Sequence, residues 1–282
     1  MSLILLSLAV LAALMLLAGP ADFLGRPTPL VIGHRGCPAR RPENTMASFE
    51  QAIAEGADMI ELDVQLSADC QLVVIHDATL ERTTNGHGLV AMHTLEQLRG
   101  LDAGGWFDPR LADQRPPTLA EVFEAFGQRT LINVEIKAEA LCLPLPGWTV
   151  VELTLAEIAR CGLERTTVVS SMSFDALLMA RAINPRLNLA VLAHGPKPGI
   201  DTAMLCQAIG ARAFNFHISS VTRDLTESLH RAGLLALPYA DASVTPSAMA
   251  RALELGCDGF FADDPAALRA MIDKQGGAKA AR

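Results

Sequence analysis

No Cys-x-x-Cys pair occurs in this chain. Its six cysteines, Cys37, Cys70, Cys142, Cys161, Cys206 and Cys257, are scattered. That argues against a zinc site or a disulfide framework and leaves most of them as small core or loop residues. Free thiols spread in this way favour a reducing compartment. No Lys/Arg cluster is present either. Lys and Arg number 23 against 31 Asp and Glu, a formal net charge of −8. Nucleic acid is therefore a poor partner, because a phosphate backbone asks for concentrated positive charge. No Gly-x-Gly-x-x-Gly is found, so an open dinucleotide-binding sheet lacks its signature. Low complexity is confined to 276–282, read as a disordered tail.

What is present is 282 residues, half of them hydrophobic, ample for one large core. Residues 2–18 are almost wholly apolar and are followed by Gly19-Pro20. Their length matches a marginal membrane span. No Lys or Arg precedes them, as a secretory signal usually requires, so 1–24 reads as an uncleaved anchor, with a cleaved signal and an exported form as the alternative. No Cys follows Leu17-Ala18-Gly19, which removes a lipoprotein site. The basic residues, from Arg26 onward, lie on the C-terminal side, and positive-inside reasoning then keeps the domain cytoplasmic. A membrane is thus an expected partner through residues 2–18.

Beyond the apolar segment, helical and strand patterns alternate. Short apolar runs at 30–34, 60–66, 72–76, 130–137, 167–171, 189–193, 213–216, 234–239 and 259–262 read as strands. Helical spacing falls between them, with glycine stops such as Gly56, Gly210 and Gly256. Nine strands are counted. The short polar stretch 67–71 makes 72–76 a hairpin return. Eight strands then remain, the number that closes a (β/α)8 TIM barrel over 28–273. Residues 78–113, rich in Thr, Gly and charge, form an insertion over the surface with one short helix. An open doubly wound sheet is the runner-up.

Glu61 and Asp63 alternate with Ile60, Leu62 and Val64, so both carboxylates share one strand face beside residues that seek burial. Two buried anions call for a cation between them. With a turn centred on Asp69-Cys70, His76 lies directly across from Asp63. His34, Arg35, Glu61, Asp63, Glu135 and Lys137 all fall near the C-terminal ends of barrel strands, where such barrels place their sites. Three carboxylates, Glu61, Asp63 and Glu135, suit one hard divalent ion, Mg²⁺ or Ca²⁺. Two histidines, His34 and His76, suit proton transfer near neutral pH. Arg35 and Lys137 supply positive charge for an anion. The set describes phosphoryl-ester chemistry. Asn44 is either a helix cap or a group touching the substrate, and Glu43 is similar but weaker. His87, His93, His194, His217 and His230 have no motif partner and read as structural or exposed. Met172, Met179 and Met249 read as core filler. Trp106 and Phe107 read as packing of the insertion.

His34-Arg-Gly36, Pro42-Glu-Asn-Thr45, Glu61-Leu-Asp63, His76-Asp77, Asn133-Val-Glu-Ile-Lys137 and Asp258-Gly-Phe-Phe-Ala-Asp-Asp-Pro265 stand in this order. Together they resemble the glycerophosphodiester phosphodiesterase family. The resemblance implies a metal-dependent TIM barrel that cleaves glycerophosphodiesters to glycerol 3-phosphate and an alcohol. His34 and His76 would be the acid–base pair, Glu61, Asp63 and Glu135 the metal ligands, and Arg35 and Lys137 the phosphate holders. The chain departs from the family at Leu237-Pro-Tyr-Ala-Asp241, where a Trp-Thr-Val-Asn-like segment is usual, which leaves the alcohol open. Two other readings stand beside this one. A lysophospholipase D would use the same site on a lysolipid phosphodiester, and a non-catalytic phosphate-ligand binder would use it without chemistry.

Overall fold

The computed structural model describes residues 28–142, 149–240 and 245–280. Nine strands form: β1 Leu30–Gly33, β2 Met59–Leu66, β3 Leu72–Val74, β4 Leu131–Ile136, β5 Thr167–Ser171, β6 Asn188–Ala193, β7 Ala213–His217, β8 Leu235–Tyr239 and β9 Gly259–Ala262. All but β3 pair in parallel with their neighbours, and β9 returns to β1. Eight parallel strands so joined are a closed barrel with helices in the crossovers. β3 lies antiparallel on the far half of β2.

Period two along each strand separates two cores. Leu30, Ile32, Met59, Leu131, Val168, Ala190, Ala213, Leu237 and Phe261 point inward and plug the barrel. Val31, Ile60, Leu62, Val134, Val169, Val191, Phe214, Phe216 and Phe260 belong to the shell beneath the helices. Further along several strands the inward positions turn polar, at Glu61, Asp63, Asn133, Glu135, Ser170 and Asn215. The barrel is therefore dry at its base and polar toward its C-terminal mouth.

Helix starts are set locally by side-chain caps. Ser173, Asp201, Thr222 and Thr245 each accept the backbone N–H three residues on, opening helices Phe174–Ile183, Thr202–Ile209, Arg223–Arg231 and Pro246–Glu254. Thr118 and Glu121 form a capping box for Leu119–Phe126. Gly210 ends its helix in the left-handed region, at φ +72°.

Four expectations change. First, the hairpin register is shifted by one residue. Val64 faces Val74, Leu66 faces Leu72, and Ile75 donates to the Asp63 carbonyl, so Asp63 stands opposite Ile75 and not His76. The loop is the odd-numbered Ala68-Asp69-Cys70, with Cys70 at φ +60°, the residue that a three-residue hairpin turns on. Second, the first crossover helix, Met46–Ala54, is capped by Thr45, whose side chain accepts from Ser48 N. Asn44 sits just outside it at φ +55°. Third, the last helix runs over Pro265–Ala280, past the glycines that led 276–282 to be read as a tail. Fourth, the anchored, cytoplasmic placement is withdrawn. Among the described residues no helix is long and apolar enough to cross a membrane, and residues 1–24, on which the anchor was placed, lie outside them.

The insertion 78–113 has a small core of its own. Leu80, Val90 and Leu98 pack with Val73 and Ile75 of the hairpin return. It is thus docked on the element that carries His76.

The turn after β1 is tight. Gly36 lies at φ +92°, and a Cβ there would stand 2.7 Å from the Ser48 carbonyl carbon and 2.3 Å from Ser48 Oγ. Ser48 Oγ also donates to the Arg35 carbonyl at 3.0 Å and accepts from Cys37 N at 2.8 Å. Gly36→Ala is therefore expected to destabilise the protein by about 3 kcal/mol. An unchanged thermal midpoint would contradict this account of the turn.

Candidate active site

Strand pairing brings the carboxylates together. Asp63 on β2 is the direct parallel partner of Glu135 on β4, with Glu61 one inward step below on β2. One oxygen from each of Glu61, Asp63 and Glu135 lies within 4.8 Å of the other two. Glu61 is 3% exposed and Asp63 0%. Their cations are close. Arg35 N donates to Glu61 Oε2 at 2.7 Å, and Arg35 Nε is 3.5 Å from Asp63 Oδ2. Lys137 Nζ donates to Glu135 Oε1 at 2.8 Å and lies 3.5 Å from Asp63 Oδ1.

These three groups do not share one charge state. Burial, and then the neighbouring Asp63 and Glu135, push the Glu61 carboxyl well above its ordinary range. Burial and Asp63 push Glu135 up to about 7, against Lys137. Burial also acts on Asp63, but Lys137, Arg35 and His76 outweigh it and hold the group down at about 2. Two cationic side chains do not neutralise three packed carboxyls. Among the described residues Asp63 Oδ1 has no hydrogen-bond partner, although it is buried. An all-oxygen donor set, converging in space with one oxygen unspent, fits a hard divalent cation.

Asn44 stands behind this cluster. Its Nδ2 donates to Asp63 Oδ2 at 2.8 Å, and Asp63 N donates back to its Oδ1 at 3.3 Å. The residue is 4% exposed, and both of these side-chain hydrogen bonds go to Asp63. Asn44 and Arg35, at φ +55° and +53°, are non-glycine residues in the left-handed region, joined by one hydrogen bond from Asn44 N to the Arg35 carbonyl at 3.0 Å. Such outliers cluster where geometry serves a site.

A histidine flanks the cluster on either side. His34 follows β1, and its Nδ1 is 2.8 Å from Asp263 Oδ1. His76 follows β3, and its Nδ1 is 2.6 Å from Asp77 Oδ1. A carboxylate can only accept, so Nδ1 carries the hydrogen in both rings and Nε2 is left for the cavity. His76 Nε2 lies 3.1 Å from Lys137 Nζ. Burial, joined by Arg35 and Lys137, lowers the His76 pKa against the pull of Asp63.

His34, Arg35, Glu61, His76, Glu135 and Lys137 line one side of a cavity of about 360 Å³ at the barrel mouth. Met172, Leu192, His194, Asn215, Tyr239 and Phe261 line the other. Tyr239 Oη is 3.1 Å from His194 Nδ1, and the His217 ring meets Tyr239 edge-on at 5.5 Å. All the predicted site residues thus converge at this mouth, Asn44 and Asp63 from behind the lining. Other residues meet this site without a sequence pattern that assigns them to it. Met172 is 41% exposed at the cavity and not core filler. His194 is exposed, one of the two readings given to it, and its exposed ring lines the cavity. Asp263 was visible in the terminal motif but received no role. Asp241 lies outside the described residues.

Comparisons with known proteins agree with this architecture. The sequence profile of the "Glycerophosphoryl diester phosphodiesterase family" matches residues 34–267. A glycerophosphodiester phosphodiesterase of Caldanaerobacter subterraneus subsp. tengcongensis is 37% identical over 249 residues, 88% of this chain and 99% of that one. One of Bacillus altitudinis is 35% identical over 243 residues, 83% of this chain and 94% of that one. Among solved structures, an Oleispira antarctica phosphodiesterase in complex with the product sn-glycerol-3-phosphate superposes with a TM-score of 0.78 at 27% identity, covering 87% of this chain and 97% of that one. With its profile matched from the first site histidine to the last helix, the chain belongs to the glycerophosphoryl diester phosphodiesterase family, and is by that membership a phosphoric diester hydrolase.

Proposed function

We propose that this chain hydrolyses glycerophosphodiesters to an alcohol and glycerol 3-phosphate, with His34 and His76 as the acid–base pair. The observation that carries this reading is the placement of Glu61, Asp63 and Glu135 between two histidines whose Nδ1 atoms are each tied to a carboxylate. Glu61, Asp63 and Glu135 would hold one divalent cation, Mg²⁺ or Ca²⁺. Bound there, it would draw charge from the phosphodiester oxygens.

The chain's own groups do the rest. Arg35 and Lys137 are cations at the cavity wall and hold the phosphate oxygens. His76, whose pKa is lowered by burial, Arg35 and Lys137, takes the proton from the attacking water, or from a neighbouring substrate hydroxyl, in which case the cyclic phosphodiester first formed is opened by water with the proton roles of the two rings exchanged. As the new P–O bond forms and the ester P–O bond breaks, protonated His34 gives its Nε2 proton to the leaving alkoxide, with Asp263 balancing the imidazolium. The wall formed by Leu192, His194, Tyr239 and Phe261 is left to receive the alcohol.

The test is product analysis with purified protein. Glycerophosphocholine should yield glycerol 3-phosphate and choline. EDTA should stop the reaction, and Mg²⁺, Ca²⁺ or Mn²⁺ should restore it. Faster turnover of lysophosphatidylcholine would move the assignment to a lysophospholipase D, and hydrolysis of neither would leave a phosphate-ligand binder.

A further inference from the structure

The insertion sends one side chain back to the catalytic rim. Arg82 lies between two carboxylates and bonds both in fork geometry. Its Nε donates to Asp77 Oδ2 at 2.6 Å and its Nη2 to Asp77 Oδ1 at 3.0 Å. On the other side Nη1 donates to Glu43 Oε2 at 2.6 Å and Nη2 to Glu43 Oε1 at 2.8 Å. Beyond Asp77 stands His76, 2.6 Å away through Nδ1. Beyond Glu43 stands Arg35, whose Nη1 donates to Oε1 at 2.8 Å. An unbroken chain of charge therefore runs Arg35–Glu43–Arg82–Asp77–His76, with Arg82 at its centre.

We propose that Arg82 is a positioning residue for the reaction, setting the His76 ring through Asp77 and the Arg35 guanidinium through Glu43. The inference rests on the roles given above to His76 and Arg35. An isolated exposed ion pair does little, and the Arg82 side chain is 44% exposed. Its partners are less so, with the Glu43 side chain at 10% and the Asp77 side chain at 27%. Each carboxylate is engaged at two points, a geometry that lysine does not reproduce. Without Arg82, Asp77 loses the contact that fixes its rotamer, and the hydrogen on His76 Nδ1 loses a fixed acceptor. Glu43 would keep Arg35 as its remaining partner in the chain and draw it from Asp63. The insertion, docked on β3 through its own small core, thus completes the site rather than merely covering the surface.

The experiment compares Arg82→Ala, Asp77→Asn, their combination and His76→Ala with wild type on glycerophosphocholine at saturating Mg²⁺. Arg82→Ala should lower kcat about 10–100-fold, with a thermal midpoint close to wild type. The double variant should lose less than the product of the two single losses, because the two side chains share the path through the His76 ring while Arg82 alone acts on Arg35. Millimolar guanidinium should restore part of the lost turnover in Arg82→Ala and none in Asp77→Asn. Should Arg82→Ala not fold, Arg82→Lys carries the test and should also be slow, since one ammonium does not fork to two carboxylates. Wild-type kcat in either arginine variant, or losses that multiply in the double variant, would overturn the inference. If His76→Ala is inactive while Arg82→Ala is not, only this inference falls. If His76→Ala is itself active, the acid–base assignment falls first.

Discussion

His34→Ala and His76→Ala are each expected to lower kcat by about 10²–10⁴-fold while leaving cation binding intact. In the proposed reaction the two rings serve one displacement from opposite sides, one taking a proton and the other giving one. Neither belongs to the group of Glu61, Asp63 and Glu135 oxygens that could hold the ion. Calorimetric titration with Mg²⁺ or Ca²⁺ should therefore look like wild type in both variants, with turnover lost. Asp263→Asn should act in the same direction as His34→Ala but less severely, because it unsettles the ring without removing it. Near-wild-type turnover in either histidine variant would refute the pair. Loss of cation binding in His34→Ala would instead place that ring among the ligands.

Asp63→Asn should have the other large effect. Asp63 is fully buried, and its Oδ1 has no hydrogen-bond partner among the described residues. Its carboxylate is the one held anionic, at about 2, by Lys137, Arg35 and His76 against burial. The amide is nearly isosteric, so packing against Asn44 survives, but the site loses its strongest negative group. Divalent cation should raise the thermal midpoint of the wild type, by an amount worth about 2.7 kcal/mol at a hundredfold excess over the dissociation constant. The variant should show little or no such shift and little turnover. A full cation-dependent shift in Asp63→Asn would place the ion elsewhere. Should Asp63→Asn fail to fold, Glu135→Gln carries the same test, since that carboxyl belongs to the cluster and is paired with Lys137.

Much of this site was legible because its groups sit on periodic elements. Period two put Glu61 and Asp63 on one face, and the parallel pairing of β2 with β4 set Asp63 beside Glu135. The hairpin return was legible from the short polar stretch 67–71, but its register was not. An even two-residue turn and an odd three-residue loop differ by one residue, and only the left-handed conformation of Cys70 decides between them. His76 reaches the mouth regardless, since it lies beyond the end of β3. Asn44 and Thr45 are both good caps by composition, and the choice fell to Thr45 because Asn44 was taken up by Asp63.

What stayed hidden came from contacts across long stretches of chain. Asp263 meets His34 across 229 positions, and Arg82 meets Glu43 across 39. No local pattern records either. The wall of His194, Asn215 and Tyr239 is assembled by barrel closure, Asn215 from β7, Tyr239 from β8 and His194 from the residue after β6. Single residues of that kind carry no motif. Met172 shows the same limit in reverse. Its hydrophobic character suited a core, yet it follows β5 at the barrel mouth, where it lines the cavity.

The most direct test is a crystal grown or soaked with Mn²⁺ and measured at the manganese absorption edge. One anomalous peak is expected within bonding distance of Glu61, Asp63 and Glu135 together, with His34 and His76 to either side and bonded to their own carboxylates. A peak held by other residues, or none at this cluster under conditions that support turnover, would contradict the arrangement on which the chemistry depends.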